Sequence, residues 1–163
     1  MIDALVVILA LLWKCRLISA VGCSLPIDDE GHMDIPSTWE SIVYNQFDGC
    51  LSLKSVAIGD NVLSVDSLAF RGCRNLITVT MGGGVKEIGE YAFGQCEAMK
   101  HLTIGINVTS IGQNAFSRCS SLESVSIPDS VDSIGNNAFE RCSGLETVKF
   151  GKSVTSIGDY AFQ

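Results

Sequence analysis

A 23-residue period is the feature of this chain that most constrains its fold. Phenylalanine and cysteine both recur at this spacing, at Phe70, Phe93, Phe116, Phe139 and Phe162 and at Cys50, Cys73, Cys96, Cys119 and Cys142. A unit this short cannot bury its own apolar face, so consecutive units must stack and share one core. The period therefore predicts a solenoid of about five to six coils.

Each unit begins with an alternation of apolar and polar residues. In the unit that starts at Leu122, Val125 and Ile127 alternate with polar neighbours, which is typical of a half-buried strand. A turn follows, and the chain re-enters the core at Val131. The run AFERCSGL, residues 138–145, has the apolar spacing of one or two turns of α- or 3₁₀-helix. We therefore expect each coil to combine a short strand with a short helical turn, with a parallel sheet on one face.

Two further expectations concern the inside of the solenoid. One phenylalanine per coil predicts a stack of rings along the whole core. Glycine follows the second core re-entry in four coils, where it indicates a positive φ or a close approach of the backbone. These glycines are Gly89, Gly112, Gly135 and Gly158.

The seven cysteines would suggest disulfides in a short secreted chain. Five of them share one position of the repeat, however, and a free cysteine packs as a small apolar group. Neighbours in such a column lie about 4.8 Å apart, but their Cβ vectors run parallel and a column of five cannot pair fully. We predict buried thiols. No spacing typical of a zinc site occurs, so no metal and no other cofactor is predicted.

Composition excludes some classes of protein. With 47% hydrophobic residues the chain can form a packed domain, so disorder is not expected. The net charge is −7, and the eleven Lys and Arg residues are scattered singly. Because phosphate neutralisation needs clustered cations, we predict no nucleic-acid partner.

The chain divides into three segments. Residues 1–22 contain an apolar run, ALVVILALLW, that is too short for a bilayer span and fits a signal peptide, with cleavage after Ala20 or Gly22. Asp3 and the lack of a preceding Lys or Arg depart from that pattern, so a signal anchor or an internal start codon stays open. The mature chain is then expected to have no transmembrane span. Residues 23–30 form an acidic linker or cap, and the repeats occupy residues 31–163.

The chain ends at Gln163, in the middle of a coil. A solenoid end needs a polar cap, because an open edge invites association. No such cap is visible in the sequence, so we expect either that further repeats follow this residue, which we favour, or that this end of the solenoid pairs with another surface.

The pattern L-x-x-V-x-I-P-x-S-V-x-S-I-G-x-x-A-F-x-x-C resembles the BspA-type leucine-rich repeat over residues 31–163. The resemblance implies a leucine-rich repeat solenoid of the kind found in bacterial and protist surface proteins, which are associated with adhesion and extracellular ligands. It implies a secreted or cell-surface location, and it carries over no catalytic residues. The chain departs from the pattern at Asp66 and Ser67, where Ile-Gly-type sequence is expected.

The outward strand positions form the candidate ligand-binding face. They carry small hydroxyl side chains and almost no aromatic residue or Arg, so protein or glycan binding through hydrogen bonds is the expected role. The alternative is that Ser and Thr simply suit exposed strands, which would make the chain a structural spacer or an intracellular protein-interaction scaffold in the cytoplasm. The candidate residues are Ser55, Thr78, Thr80, His101, Thr103, Ser124, Ser126, Thr147 and Lys149.

Signals for chemistry are weak. His101 has no carboxylate or serine constellation around it in the sequence, so no catalytic residue is predicted and the chain is not expected to be an enzyme. Asn107-Val108-Thr109 is an N-glycosylation sequon on an exposed turn, so Asn107 is a candidate glycan acceptor if the chain is secreted in a eukaryote. Chance occurrence of so short a motif is the competing explanation.

Overall fold

The computed structural model describes Cys23 and residues 27–163, and over these residues the chain is a solenoid of stacked coils. Each coil contributes two short strands. In chain order they are β1 (His32–Asp34), β2 (Ser41–Ile42), β3 (Ser55–Ile58), β4 (Ser64–Val65), β5 (Thr78–Met81), β6 (Glu87–Ile88), β7 (His101–Thr103), β8 (Ser110–Ile111), β9 (Ser124–Ser126), β10 (Ser133–Ile134), β11 (Thr147–Lys149) and β12 (Ser156–Ile157).

The strands form parallel sheets on two sides of the solenoid. The first side holds the four-stranded sheet β1-β3-β5-β7 and the pair β9-β11, and the second side holds an unbroken six-stranded sheet of the even-numbered strands. Pairing follows the 23-residue period, so Val56 lies opposite Val79 and Ile88 lies opposite Ile111. The predicted parallel sheet on one face is confirmed, and the sheet on the second side was not predicted. Two-residue strands are too short to show an alternating pattern.

The third side of each coil is a series of turns, so the predicted helical turn is not confirmed. Among the described residues no helix forms. Asn137 and Arg141 have φ values of 56° and 58°, in the left-handed region that a right-handed helix cannot include. The Phe139 N–H donates to the Ala161 carbonyl of the next coil at 2.7 Å. Backbone hydrogen bonds here therefore join adjacent coils. The apolar residues that are spaced as in a helix occupy inward-facing positions of these turns.

The left-handed positions recur in two columns along this turn side. One column holds Asn45, Leu68, Tyr91, Asn114, Asn137 and Tyr160, and the other holds Gly49, Gly72, Gln95, Arg118 and Arg141. Because each column keeps its conformation whatever the residue type, the conformation is imposed by the stacking of the coils.

The core contains the predicted stack of phenyl rings, which is confirmed and begins one coil earlier than predicted, at Phe47. Successive ring centroids are 5.0–5.4 Å apart from Phe47 to Phe162, with interplanar angles of 13° or less. Trp39 covers the first ring at a centroid distance of 6.4 Å. The stack is a continuous apolar column, which is how adjacent coils bury each other's aromatic side chains.

The four glycines after the second core re-entry are explained by close approach, because none of them has a positive φ. A Cβ built on Gly135 would lie 2.6 Å from the backbone nitrogen of Gln113 and 2.7 Å from the carbonyl carbon of Gly112. A side chain at this position would therefore push two coils apart.

The prediction of buried free thiols is confirmed at four positions of the cysteine column and is wrong at Cys50. Cys73, Cys96, Cys119 and Cys142 are buried free thiols, as predicted. Cys50, by contrast, forms a disulfide with Cys23, which lies 27 residues earlier and outside the repeat. Cys23 lies outside the column, so the 23-residue spacing of the cysteines gives no signal of this partner.

The buried thiols make a regular set of contacts. Each Sγ lies within hydrogen-bonding distance of a phenylalanine carbonyl in the preceding coil, for example 3.3 Å from Cys96 to Phe70 and 3.4 Å from Cys119 to Phe93. Burial raises the pKa of Cys73 to about 12, so this thiol stays protonated at neutral pH.

Candidate functional site

The predicted ligand-binding positions all lie on the outer surface of the first side, which we call the sheet face. Parallel pairing in register arranges its side chains in two rows. The first row is His32, Ser55, Thr78, His101, Ser124 and Thr147, and the second is Asp34, Ala57, Thr80, Thr103, Ser126 and Lys149. Neighbouring strands in such a sheet are about 4.8 Å apart, so the rows present hydroxyl groups at that repeat.

The sheet face is interrupted between the fourth and fifth coils, because β7 and β9 do not pair. The structure therefore brings five predicted residues together on one sheet, Ser55, Thr78, Thr80, His101 and Thr103. It places the other four on the two-stranded sheet, Ser124, Ser126, Thr147 and Lys149. Ser55 and Thr78 are half-buried, and the other seven are exposed.

At the N-terminal end of the sheet face, three side chains form a hydrogen-bonded cluster that sequence reasoning missed. His32 Nδ1 lies 2.7 Å from Ser55 Oγ, and His32 Nε2 lies 3.2 Å from Asp34 Oδ1. The sequence signal was available, because His32 precedes Ser55 by one 23-residue period. The carboxylate of Asp34 is 81% exposed on an open strand surface, so the cluster orders one edge of the face and we assign it no reaction.

The chemistry of the sheet face is that of neutral hydrogen-bonding groups. Each hydroxyl offers one donor and two acceptor sites. The charged members lie at the two ends of the second row, Asp34 in the first coil and Lys149 in the last. The face therefore suits a flat, polar ligand that exchanges hydrogen bonds along several coils.

Asn107 lies on an exposed turn outside the sheet face. Its Nδ2 donates to the Gly83 carbonyl of the preceding coil at 2.8 Å. A glycan bonded to Nδ2 would leave one N–H for this hydrogen bond. The exposure fits the sequon, and glycosylation stays a prediction.

Two other properties concern the described residues only. No three His, Cys, Asp or Glu residues in that part of the chain come close enough to hold a metal ion. None of its segments forms a helix with the length and apolar character that a membrane crossing requires. The predicted signal peptide, residues 1–22, lies outside the described residues.

Stacked parallel strands, a 23-residue register and an open outer sheet surface are the features of a leucine-rich repeat protein. The sequence model of the family described as BspA type leucine rich repeat region matches this chain in six copies, which together cover residues 33–163. The chain therefore belongs to the BspA-type leucine-rich repeat family. Repeats of this class generally bind proteins.

Solved structures agree with this assignment. A leucine-rich repeat protein from Bacteroides ovatus matches with a TM-score of 0.70 and 29% identity over 81% of this chain. The T. pallidum leucine-rich repeat protein matches with a TM-score of 0.66 and 30% identity over 68% of this chain. One from Eubacterium ventriosum, at 23% identity, shares the fold with a TM-score of 0.71 over 86% of this chain. The search of curated proteins found no match.

This chain spans only part of those proteins. It covers 34% of the Bacteroides ovatus chain, 54% of the T. pallidum chain and 44% of the Eubacterium ventriosum chain.

Proposed function

We propose that this chain is part of a non-catalytic, extracellular or cell-surface recognition module, and that its sheet face binds a glycan through hydrogen bonds. The observation that carries the proposal is the pair of side-chain rows in register across adjacent strands, in which Thr80 and Thr103 are exposed and Ser55 and Thr78 are half-buried. Tight protein interfaces are rich in Trp, Tyr and Arg. The sheet face contains none of these, which favours a glycan over a protein on this surface.

The disulfide between Cys23 and Cys50 supports the extracellular part of the proposal. Structural disulfides form and persist in oxidising compartments, whereas cytosolic thiols stay reduced. The apolar segment of residues 1–22 would supply the export signal. Peptide mapping of the natural product without reduction should recover Cys23 linked to Cys50, on a chain that starts at Val21 or Cys23. Free thiols at both cysteines of a chain that retains Met1 would contradict export.

Binding by the sheet face can be tested with Thr103→Glu combined with Ser126→Glu. Both side chains are exposed, so the fold should persist while two negative charges disrupt the neutral hydroxyl rows. We expect binding to an array of immobilised glycans to fall at least about tenfold. A fall of this size corresponds to the loss of about one hydrogen bond between the protein and the glycan.

The matched control is Ser143→Glu combined with Ser153→Glu, which adds the same charge at exposed positions away from the sheet face. Circular dichroism spectra should be the same for both variants. Equal binding by the two variants would remove the sheet face as the binding site. The absence of any array binding by the unmodified protein would favour the structural spacer.

A further inference from the structure

The sheet face is open at one point, which we call the sheet break. It consists of residues 100–104 in the fourth coil and residues 123–126 in the fifth, where β7 and β9 do not pair although their coils are adjacent. At the other junctions between described coils, the odd-numbered strands pair in parallel. The sheet break is therefore a departure from the repeat within the surface that carries the predicted ligand-binding residues.

A fork of backbone hydrogen bonds precedes each of the paired strands β3, β5, β7 and β11. In the fork before β5, the Lys54 carbonyl accepts from the N–H groups of Ile77 at 2.7 Å and Thr78 at 3.2 Å in the next coil. The same fork joins the first coil to the second, the third to the fourth and the fifth to the sixth. It closes the sheet side of these coils.

The fork is missing before β9. Among the described residues, the Lys100 carbonyl accepts from neither the Glu123 N–H nor the Ser124 N–H. The Ile104 N–H does not donate to the Ser126 carbonyl, although the equivalent bond between the fifth and sixth coils is 2.8 Å long. The sheet break therefore presents three N–H groups and two carbonyls that have no hydrogen-bonding partner in the described part of the chain.

The opening is confined to the sheet face. On the second side β8 and β10 pair in register, and on the turn side the Phe116 N–H donates to the Ala138 carbonyl at 2.8 Å. Leu102 in β7 is half-buried, whereas Val79 and Val125, at the same position of β5 and β9, are buried. The sheet break is thus an opening toward solvent in a stack that is closed on its other two sides.

The width of the sheet break limits what can enter it. Cα atoms of β7 and β9 come within 8 Å of each other. A strand inserted between them would need about 9.6 Å, twice the ordinary strand spacing. An extended peptide, or a strand of a second copy of this chain, is therefore too wide, whereas a single hydroxyl group is not.

The polar groups of the sheet break match neutral hydroxyl groups. Unpaired N–H groups need an acceptor and unpaired carbonyls need a donor. A hydroxyl supplies both, whereas a carboxylate supplies acceptors only. The exposed side chains of Lys100 and Glu123 have opposite charges, so together they add no net charge that would favour an ion. The exposed hydroxyls of Thr103 and Ser126 lie on either side of the break.

We propose that the sheet break is the subsite at which the sheet face binds a neutral glycan, whose hydroxyl groups hydrogen-bond to the unpaired backbone groups. This inference rests on the proposed function and adds the position and the charge class of the ligand. The glycan hydroxyls replace solvent at backbone groups that need a partner in either state. The side chains of His101, Thr103 and Ser124 then contact the remaining hydroxyls of the same sugar.

Hydrogen exchange of the whole protein, measured by NMR, tests the site without a substitution. In the free protein the amides of Glu123 and Ser124 should have protection factors at least about tenfold below those of Ile77 and Thr78, which occupy the same positions and are hydrogen-bonded. Saturation with a neutral tetrasaccharide (cellotetraose, mannotetraose or xylotetraose) should raise the protection of Glu123 and Ser124 at least about tenfold. It should leave Ile77 and Thr78 unchanged, and trigalacturonic acid should change none of the four.

Ser124→Pro and Ser124→Ala form a matched pair of variants. Both remove the hydroxyl, but only proline removes the N–H, which bonds to no other described residue. Proline is tolerated where a strand N–H has no partner, so Ser124→Pro should fold. It should bind the tetrasaccharide at least about tenfold more weakly than Ser124→Ala, which corresponds to the loss of about one hydrogen bond.

Three results would overturn this inference and leave the proposed function standing. They are Ser124 protection equal to that of Thr78 in the free protein, tetrasaccharide shifts in β3 and β5 without slower exchange at Ser124, and equal binding by the two variants. Protection of Ser124 by trigalacturonic acid alone would overturn the neutral class. If no tetrasaccharide affects any amide of the sheet face, the proposed function fails and this inference with it. If Ser124→Pro does not fold, the exchange measurement decides alone.

Discussion

Phe116 shows how a single residue holds adjacent coils together. It is fully buried, with ring centroids 5.4 Å from Phe93 and 5.1 Å from Phe139. Each ring from Phe47 to Phe139 has an aromatic ring stacked on both of its faces, so loss of one member exposes two others.

Phe116→Ala should lower the free energy of unfolding by about 3–5 kcal/mol, because it removes a buried aromatic side chain and leaves a cavity. Denaturant titration followed by circular dichroism measures this. Tyr44→Ala removes an aromatic side chain that is 65% exposed, and its cost should stay below about 1 kcal/mol. Equal losses for the two variants would contradict a core organised around the phenyl stack.

The backbone conformation of single residues in the left-handed columns can also be tested. Arg118 has a φ of 61°, whereas Gly49 and Gly72 fill the same column in the first coils. A residue with a Cβ costs about 1–2 kcal/mol in this conformation, and glycine does not.

Arg118→Gly should therefore give a protein about 1 kcal/mol more stable than Arg118→Ala, because both variants remove the same charged side chain and differ only at the Cβ. Thermal and denaturant unfolding of the pair measure the difference. An alanine variant at least as stable as the glycine variant would show that this conformation carries no strain.

The sheet and turn elements are short, and contact between coils defines them. β6 and β8 have two residues each, and their hydrogen bonds join different coils. Such elements have no stability of their own, since a strand needs partners for its backbone groups. This is why local spacing indicated a helix over residues 138–145 where the coils form turns.

Gly135→Ala tests the close approach between coils. Its Cβ would lie within 2.7 Å of backbone atoms of the preceding coil, so the variant should lose about 1–3 kcal/mol through overpacking. Gly59→Ala is the control, because a Cβ there meets nothing within 4 Å and its φ is not positive. The control should change stability by less than about 0.5 kcal/mol. Similar behaviour of both variants would argue that coil spacing adapts freely.

At the scale of the whole molecule, the column of buried thiols links stability to pH. Burial raises the pKa of Cys73 to about 12 and that of Cys96 and Cys119 well above the ordinary value. Below about pH 8.5 these thiols are protonated in both the folded and unfolded states. Above that pH the unfolded chain releases protons that the folded chain retains, so stability falls as pH rises toward the folded pKa.

Unfolding free energy should therefore decrease between about pH 8.5 and pH 10.5, by up to about 1.4 kcal/mol per pH unit for each of Cys73, Cys96 and Cys119. Guanidinium titrations with reductant on a variant that combines Cys23→Ser with Cys50→Ser measure it, because no disulfide is then present for the thiolates of the unfolded chain to attack. Cys96→Ala should lower stability at neutral pH, because it truncates a buried side chain. It should also make the loss of stability above about pH 8.5 shallower by the contribution of one thiol. A slope that is unchanged in this variant would show that the thiols do not cause the alkaline loss.

Some residues of the candidate sites can be predicted from the repeat, and others cannot. All nine predicted sheet-face positions follow from the alternation within β3, β5, β7, β9 and β11. The cluster of His32 with Asp34 and Ser55 combines two neighbouring coils, so it becomes visible only when the coils are stacked.

By itself, the sequence determined the solenoid, its 23-residue register, the phenyl stack and the burial of four thiols, because identical positions in successive coils must meet when the coils stack. Only the tertiary structure decided the second sheet, the turns in place of helices, the disulfide of Cys50 with Cys23, and the cluster of His32 with Asp34 and Ser55. These features depend on hydrogen bonds and contacts between different coils or with residues outside the repeat. The spacing of residues within one coil therefore does not predict them.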